Sequence, residues 1–109
     1  MKKKYRILDK THQMENVQNV YDEISSLDFT KAIHEQVNKL DEDLFQLTFN
    51  NGNVIDVGWH PAFEEDGEFI IQVVSNDDWE EPIFKSSSNW DKNELIEKID
   101  EALNNCPSI

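Results

Sequence analysis

Residues 44–59 constrain the fold more than any other stretch, because alternating apolar residues flank a sequence typical of a tight turn. Apolar side chains occupy every second position on both sides of that turn: Phe45, Leu47 and Phe49, then Ile55, Val57 and Trp59. The turn is Asn50-Asn51-Gly52-Asn53, and Asn and Gly tolerate the positive φ that a tight hairpin requires. The segment therefore predicts an antiparallel hairpin with one buried face.

Two more strands are predicted after this hairpin. Phe69, Ile71 and Val73 continue the alternation, and the stretch from Trp79 to Phe84 is predicted as a fourth strand. Pro82 has no N–H to donate, which places that strand at an edge. Residues 44–84 thus predict a four-stranded antiparallel meander. We expect its covered face to carry Phe45, Leu47, Phe49, Ile55, Val57, Trp59, Phe69, Ile71 and Val73.

The remaining apolar residues recur with a helical period. In residues 11–40 they stand three and four apart, interrupted near Ser25, Ser26 and Asp28, which predicts two helices or one kinked helix. Residues 91–104 predict a closing helix, since Asp91 and Glu94 have the spacing of a capping box.

Helices that precede and follow a run of strands indicate an α+β fold with the helices on one face of the sheet. The 109 residues are expected to form one domain, 1–109, with residues 1–10 as a flexible segment. A chain of this length buries roughly two-thirds of its unfolded surface, so its core needs neither metals nor disulfides.

The charge is distributed unevenly along the chain. Residues 1–40 carry seven Lys and Arg against six acids and net +1, whereas residues 41–109 carry 17 acids against three Lys and net −14. A surface of that sign attracts basic proteins and repels nucleic acid. The apolar residues argue against a disordered acidic tail.

Patterns for catalysis and metal binding are missing. The three His residues lie in different segments, and Cys106 is the only cysteine. A zinc site needs three or four converging ligands, and three Gly residues form no phosphate-binding loop. We expect a non-enzyme with no metal or cofactor. With no disulfide, signal-peptide core or apolar run of about 18 residues, it is expected in the cytoplasm, away from membranes.

A meander also predicts where the acids lie, because successive loops alternate between the ends of the sheet. The entry to the first strand and the loop before the third should share one end, and the turn after the third strand should lie at the other. The candidate partner-binding residues at the first end are Asp41, Glu42, Asp43, Phe63, Glu64, Glu65 and Asp66. Those at the second end are Asp77, Asp78, Trp79 and Glu80. Aromatic side chains ringed by polar ones are typical of interface anchors.

The stretch Gly67-Glu-Phe-Ile-Ile-Gln-Val73 followed by Asn76-Asp-Asp-Trp79 resembles a pattern in small bacterial immunity proteins. These proteins are cytoplasmic antidotes of polymorphic and contact-dependent growth-inhibition toxins. The resemblance covers residues 40–104, although some of these families carry Asn-Pro-Gly-Trp at the turn. It implies a non-catalytic inhibitor, monomeric when free, whose partner is a cognate basic toxin, for example a nuclease.

Two alternatives remain open from the sequence. One is a nucleic-acid mimic that inhibits a DNA-binding protein, which requires acids spaced like phosphates along an extended face. The other is a small ligand-binding α+β domain, which requires a concave pocket with converging polar groups.

Overall fold

The computed structural model describes residues 2–107 and has an α+β fold with two antiparallel sheets and one α-helix. Three single 3-10 turns, Ile24–Ser26, Ile33–Glu35 and Val37–Lys39, lie between the third and fourth strands. The strands are β1 (Lys3–Ile7), β2 (Lys10–Met14), β3 (Val17–Asp22), β4 (Phe45–Phe49), β5 (Asn53–His60), β6 (Glu68–Ser75) and β7 (Phe84–Ser88). The helix is α1 (Lys92–Asn104).

The main sheet has five strands in chain order, β3-β4-β5-β6-β7, and every neighbouring pair is antiparallel. The hairpin predicted around Asn50–Asn53 is confirmed, with Leu47 opposite Ile55. β1 and β2 form a separate hairpin. Its turn residues Leu8 and Asp9 both have positive φ, as in the tight turns that join short antiparallel strands.

The prediction of helices in residues 11–40 is wrong. β2 and β3 occupy the first part, and Asn16 between them adopts a φ of 63° that no helix allows. Further along, side chains bind the local backbone: the Asp22 carboxylate accepts from the Ser25 N–H at 3.0 Å, and that of Asp28 accepts from the Thr30 N–H at 3.0 Å. Such bonds compete with helical ones, so only 3-10 turns form.

The four-stranded meander and the flexible N-terminus are also corrected. β3 adds a fifth strand, and β1 begins at Lys3 within the segment expected to be flexible. The last strand is shifted: residues 79–83 form turns, and the pairing with β6 starts where Phe84 lies opposite Val73. Pro82 therefore precedes the edge strand instead of lying within it. Met1 lies outside the described residues.

The predicted core face of the main sheet is confirmed. The residues that cover this face come mostly from the β1–β2 hairpin and the segment of 3-10 turns, and fewer of them come from α1. Eight of the nine residues expected there are completely buried, and Phe49 is partly buried. The cover includes Ile7 and Met14 from the β1–β2 hairpin, Ile24 and Leu40 from the segment of 3-10 turns, and Leu95, Ile99 and Ala102 from α1. One helix, instead of the predicted three or two, thus packs on this face.

The closing helix begins as predicted. The Asp91 side chain accepts from the Glu94 N–H at 3.1 Å, while the Glu94 carboxylate accepts from the Asn89 N–H at 3.3 Å. Ion pairs of Lys10 with Asp100 and of Asp9 with Lys92 join the β1–β2 hairpin to α1.

An aromatic cluster packs the segment of 3-10 turns against the sheet; its members are Phe29, Trp59, Phe69 and Trp90. Trp90 stacks on Phe29 at 4.6 Å between ring centroids, and its indole N–H donates to the Lys31 carbonyl at 2.9 Å. Trp59 meets Phe69 edge-on at 5.0 Å. Within residues 2–107, no helix has the length and apolar character needed to cross a membrane.

Candidate functional site: an acidic end of the sheet

The structure brings together the two acidic triplets that the sequence placed at one end of the sheet. The first, Asp41–Asp43, precedes β4, and the second, Glu64–Asp66, lies in the loop between β5 and β6. The Phe63 N–H donates to the Leu40 carbonyl at 2.7 Å, and the Trp59 N–H donates to the Asp41 carbonyl at 2.9 Å. All six carboxylates are exposed. We call the surface formed by the two triplets and Phe63 the acidic end.

Two glycines permit the close packing behind this surface. A Cβ on Gly58 would stand 1.7 Å from the Glu42 carbonyl oxygen, so the first triplet lies directly against the backbone of β5. A Cβ on Gly67 would stand 2.4 Å from the indole nitrogen of Trp59. That nitrogen donates to the Glu64 carbonyl at 2.8 Å, which fixes the second triplet against the core.

Phe63 is the exposed aromatic residue of the acidic end; it directly precedes the second triplet and lines a cavity with Asp41 and Asp43 of the first. Its side chain is 52 % exposed, and its backbone has a φ of 62°, a conformation that bulky residues adopt at a cost of about 1–3 kcal/mol. The hydrogen bond to Leu40 holds it there. An exposed aromatic ring held in a strained position is typical of a binding site rather than of a region shaped by stability alone.

A cavity of about 380 Å³ opens beside Phe63, lined by residues that include Tyr21, Glu23, Lys39, Asp41 and Asp43. Partial burial raises the pKa of the Tyr21 hydroxyl above its usual value, and the charges of Glu23, Asp43 and Asp41 add to that increase. The cavity therefore lies in a field of negative potential, which favours a cationic group. Sequence reasoning missed Tyr21 and Glu23, because β3 was predicted to be helical.

Asp56 is a third residue that sequence reasoning did not place in this region. It lies on the other face of the sheet from the core, in register with Gln46 on β4 and Gln72 on β6, and is only 5 % exposed. Gln46 Nε2 donates to its Oδ1 at 3.1 Å. Burial raises the pKa of the Asp56 carboxyl, and the charge of Asp43 adds to the increase.

The other predicted residues lie elsewhere. Asp77, Asp78, Trp79 and Glu80 are exposed in the connection between β6 and β7, and Trp79 is 43 % exposed. The Asn76 N–H donates to the Gly52 carbonyl at 3.4 Å, which places this connection beside the β4–β5 turn, at the opposite end of the sheet. The structure therefore divides the predicted residues into two separate sets.

A larger cavity lies away from both of these surfaces. It has a volume of about 650 Å³ and lies between the β1–β2 hairpin and the end of α1, with His12, Asp100 and Cys106 in its walls. Burial lowers the pKa of His12 and raises that of the Cys106 thiol. The thiolate needed for nucleophilic attack is therefore disfavoured.

A metal site was not expected, and residues 2–107 contain no group of three or more His, Cys, Asp or Glu side chains placed to hold an ion. Comparisons of the chain with protein-family models, with curated proteins and with solved structures find no match.

Proposed function

We propose that this chain is a non-catalytic inhibitor of the immunity type, which neutralises a basic protein toxin by binding it through the acidic end. The observation that carries the proposal is the exposed Phe63, held at positive φ beside acidic residues. An aromatic anchor with a polar rim around it is typical of protein interfaces. In this proposal the protein acts in the cytoplasm and is monomeric when free.

The charge supports a partner that carries a basic surface, such as a nuclease with its nucleic-acid cleft. Complementary charges mainly accelerate association, and that acceleration weakens as the salt concentration rises. The six acidic residues of the acidic end are exposed in the free protein, so their contribution should be to the rate of association. Phe63, which loses its contact with water on docking, should contribute to the rate of dissociation.

The test is co-expression with the toxin-like domain encoded by the adjacent reading frame, followed by measurement of binding kinetics. The variant D41K/E64K/E65K reverses three charges at the acidic end. D77K/D78K/E80K makes the same change in net charge at the opposite end of the sheet and is the matched control. We expect the first variant to slow association about tenfold or more at low salt, and the control to slow it much less.

Two results would overturn the proposal. One is that the wild-type chain neither binds the domain nor restores growth to cells that express it. The other is that reversal at the opposite end slows association more than reversal at the acidic end. Phe63→Ala adds an independent measurement, since it should accelerate dissociation and leave the dependence of association on salt unchanged.

The large cavity supports a second candidate function, the binding of a small ligand. Its volume of about 650 Å³ falls within the range of about 300–1,000 Å³ typical of ligand sites. Thermal-shift measurements with a metabolite collection test this function. A ligand that stabilises the wild type should stabilise Leu103→Trp less, because the larger side chain occupies part of the cavity. The nucleic-acid mimic has less support, because the acids form clusters at two ends rather than a continuous row.

A further inference from the structure

β3 is an edge strand, and no other strand in residues 2–107 pairs with its outer side. Every residue of Val17–Asp22 is exposed or partly exposed. An edge strand presents unpaired N–H and C=O groups to the solvent, and these groups can pair with a strand from another chain. Natural proteins usually block such edges with charged residues, proline, a covering loop or a bulge.

The two edges of the main sheet differ in this protection. The β7 edge carries Lys85, and Pro82 lies two residues before the strand begins. β3 contains no Lys, Arg or Pro. Its protective features are the irregular pairing between Val17 and Asn19 and the charge of Asp22 at its end, and residues 18–21 carry no charge. The sheet is therefore blocked at one edge and open at the other.

The open edge also offers apolar contacts on both of its faces. Val20 is 38 % exposed and lies opposite Leu47, whereas Tyr21 is 43 % exposed and lies opposite Gln46. Neighbouring residues of a strand point to opposite faces of the sheet, so an added strand would contact Val20 on one face and Tyr21 on the other. A strand added along all six residues of β3 would be about 20 Å long.

The charge around β3 indicates what kind of segment fits. Residues 15–23 contain three acids, Glu15, Asp22 and Glu23, and no base. The Asp22 end of β3 opens onto the cavity of about 380 Å³, whose walls carry the carboxylates of Glu23, Asp41 and Asp43 and one ammonium, that of Lys39. A second copy of this chain, with its net charge of −13, would be repelled there.

We propose that β3 receives a β-strand from the basic partner, with a Lys or Arg side chain of that strand entering the cavity beside Tyr21. The proposal rests on the proposed function and specifies its binding mode. Main-chain hydrogen bonds along β3 supply affinity in this mode, and the cavity supplies selectivity for a cation. Phe63, which lines the same cavity, makes strand addition and the acidic end parts of one continuous surface.

The experiment uses the full chain and two synthetic peptides, acetyl-KVKVKVK-amide and acetyl-EVEVEVE-amide, followed by amide NMR. We expect the basic peptide to shift the amide signals of residues 17–22 and of the cavity and to give interstrand cross-peaks with β3. We expect no such change from the acidic peptide. Shifts confined to β7, no shift at millimolar peptide, or equal shifts from both peptides would overturn the proposal.

Matched variants place the same new charge on either edge. Val20→Lys adds a protecting lysine to β3, and Ser87→Lys adds one to β7, where the side chain is also exposed. We expect the first to weaken binding of the basic peptide about fivefold or more and the second to leave it unchanged. Gln18→Lys, at another exposed position of β3, repeats the test without touching Val20. Unchanged binding by both β3 variants would contradict strand addition.

The two proposals fail in different ways. If the toxin-like domain binds and Val20→Lys does not weaken that binding, strand addition is wrong and the acidic end remains the docking surface. If the basic peptide pairs with β3 but the adjacent domain does not bind, the edge is a docking site and the proposed function is wrong.

Discussion

Gly58→Ala is the most direct test of how the acidic end is constructed. The new Cβ would lie 1.7 Å from the Glu42 carbonyl oxygen, and Cβ atoms essentially never approach other atoms closer than 3.0 Å. The backbone around Glu42 must therefore move by at least 1.3 Å, the difference between these distances. A backbone carbonyl cannot rotate out of the way as a flexible side chain can.

This movement should break the hydrogen bond from the Trp59 N–H to the Asp41 carbonyl, which is 2.9 Å long. A buried donor left without a partner costs about 1–3 kcal/mol. Steric strain in a packed region costs about 1–3 kcal/mol more. We expect the free energy of unfolding to fall by about 2–6 kcal/mol, which corresponds to a decrease in Tm on the order of 10–30 °C for a domain of this size.

Urea and thermal unfolding followed by circular dichroism measure the change. Hydrogen exchange of the Trp59 amide reports directly on the bond to Asp41. Ser87→Ala, at an exposed position of β7, is the control for introducing alanine into a strand. A loss of stability below about 1 kcal/mol, with the Trp59 amide still protected, would refute the explanation that close packing at Gly58 shapes the first triplet.

Two further predictions concern stability. Asp56→Asn removes the carboxyl group, so the side chain can no longer ionise. Because burial raises the pKa of Asp56 in the folded protein, the stabilising contribution of Asp56 is full below the unfolded pKa near 3.8. That contribution is lost as the pH rises through the folded pKa. The variant should therefore gain stability relative to the wild type between pH 3 and pH 7, measured as urea midpoints; an equal difference at both pH values would contradict this. Asp91→Ala removes the hydrogen bond to the Glu94 N–H and should destabilise the fold by about 1 kcal/mol, whereas Asp91→Asn should retain most of the stability.

The sequence predicts those elements whose apolar residues follow a clear period. The strands around Asn50–Asn53 and the strand at Phe69–Val73 bury an apolar side chain at every second position, so their alternation is visible without a structure. The closing helix is visible because Asp91 caps it and three apolar side chains on one stripe are buried. In these elements, local preference and tertiary burial favour the same structure.

β3 was missed for the opposite reason. An exposed edge strand buries neither face, so it lacks a period of two, and the spacing of Val17, Val20 and Tyr21 happens to match a helix. β7 was shifted because its three serines have little strand preference, and only pairing with β6 makes them a strand.

The candidate site was predictable only where it depends on the strands that the sequence shows. The two triplets come together because the loops of a meander alternate between the ends of the sheet, which holds for five strands as well as for four. The cavity beside Tyr21 depends on β3 and was not predictable. The burial of Asp56 depends on its register with Gln46 and Gln72, which hydrophobic patterns do not specify.

The positions of the three tryptophans make the unlabelled protein its own fluorescent reporter. Trp59 is buried behind the acidic end, Trp90 is stacked in the aromatic cluster, and Trp79 is exposed at the far end of the sheet. Emission at the longest wavelengths should therefore come from Trp79 alone. A molecule that docks on the β6–β7 connection should blue-shift that emission, whereas one that docks on the acidic end should leave it accessible to iodide quenching. The fluorescence of the wild-type protein can thus show which end of the sheet a partner occupies, before any residue is changed.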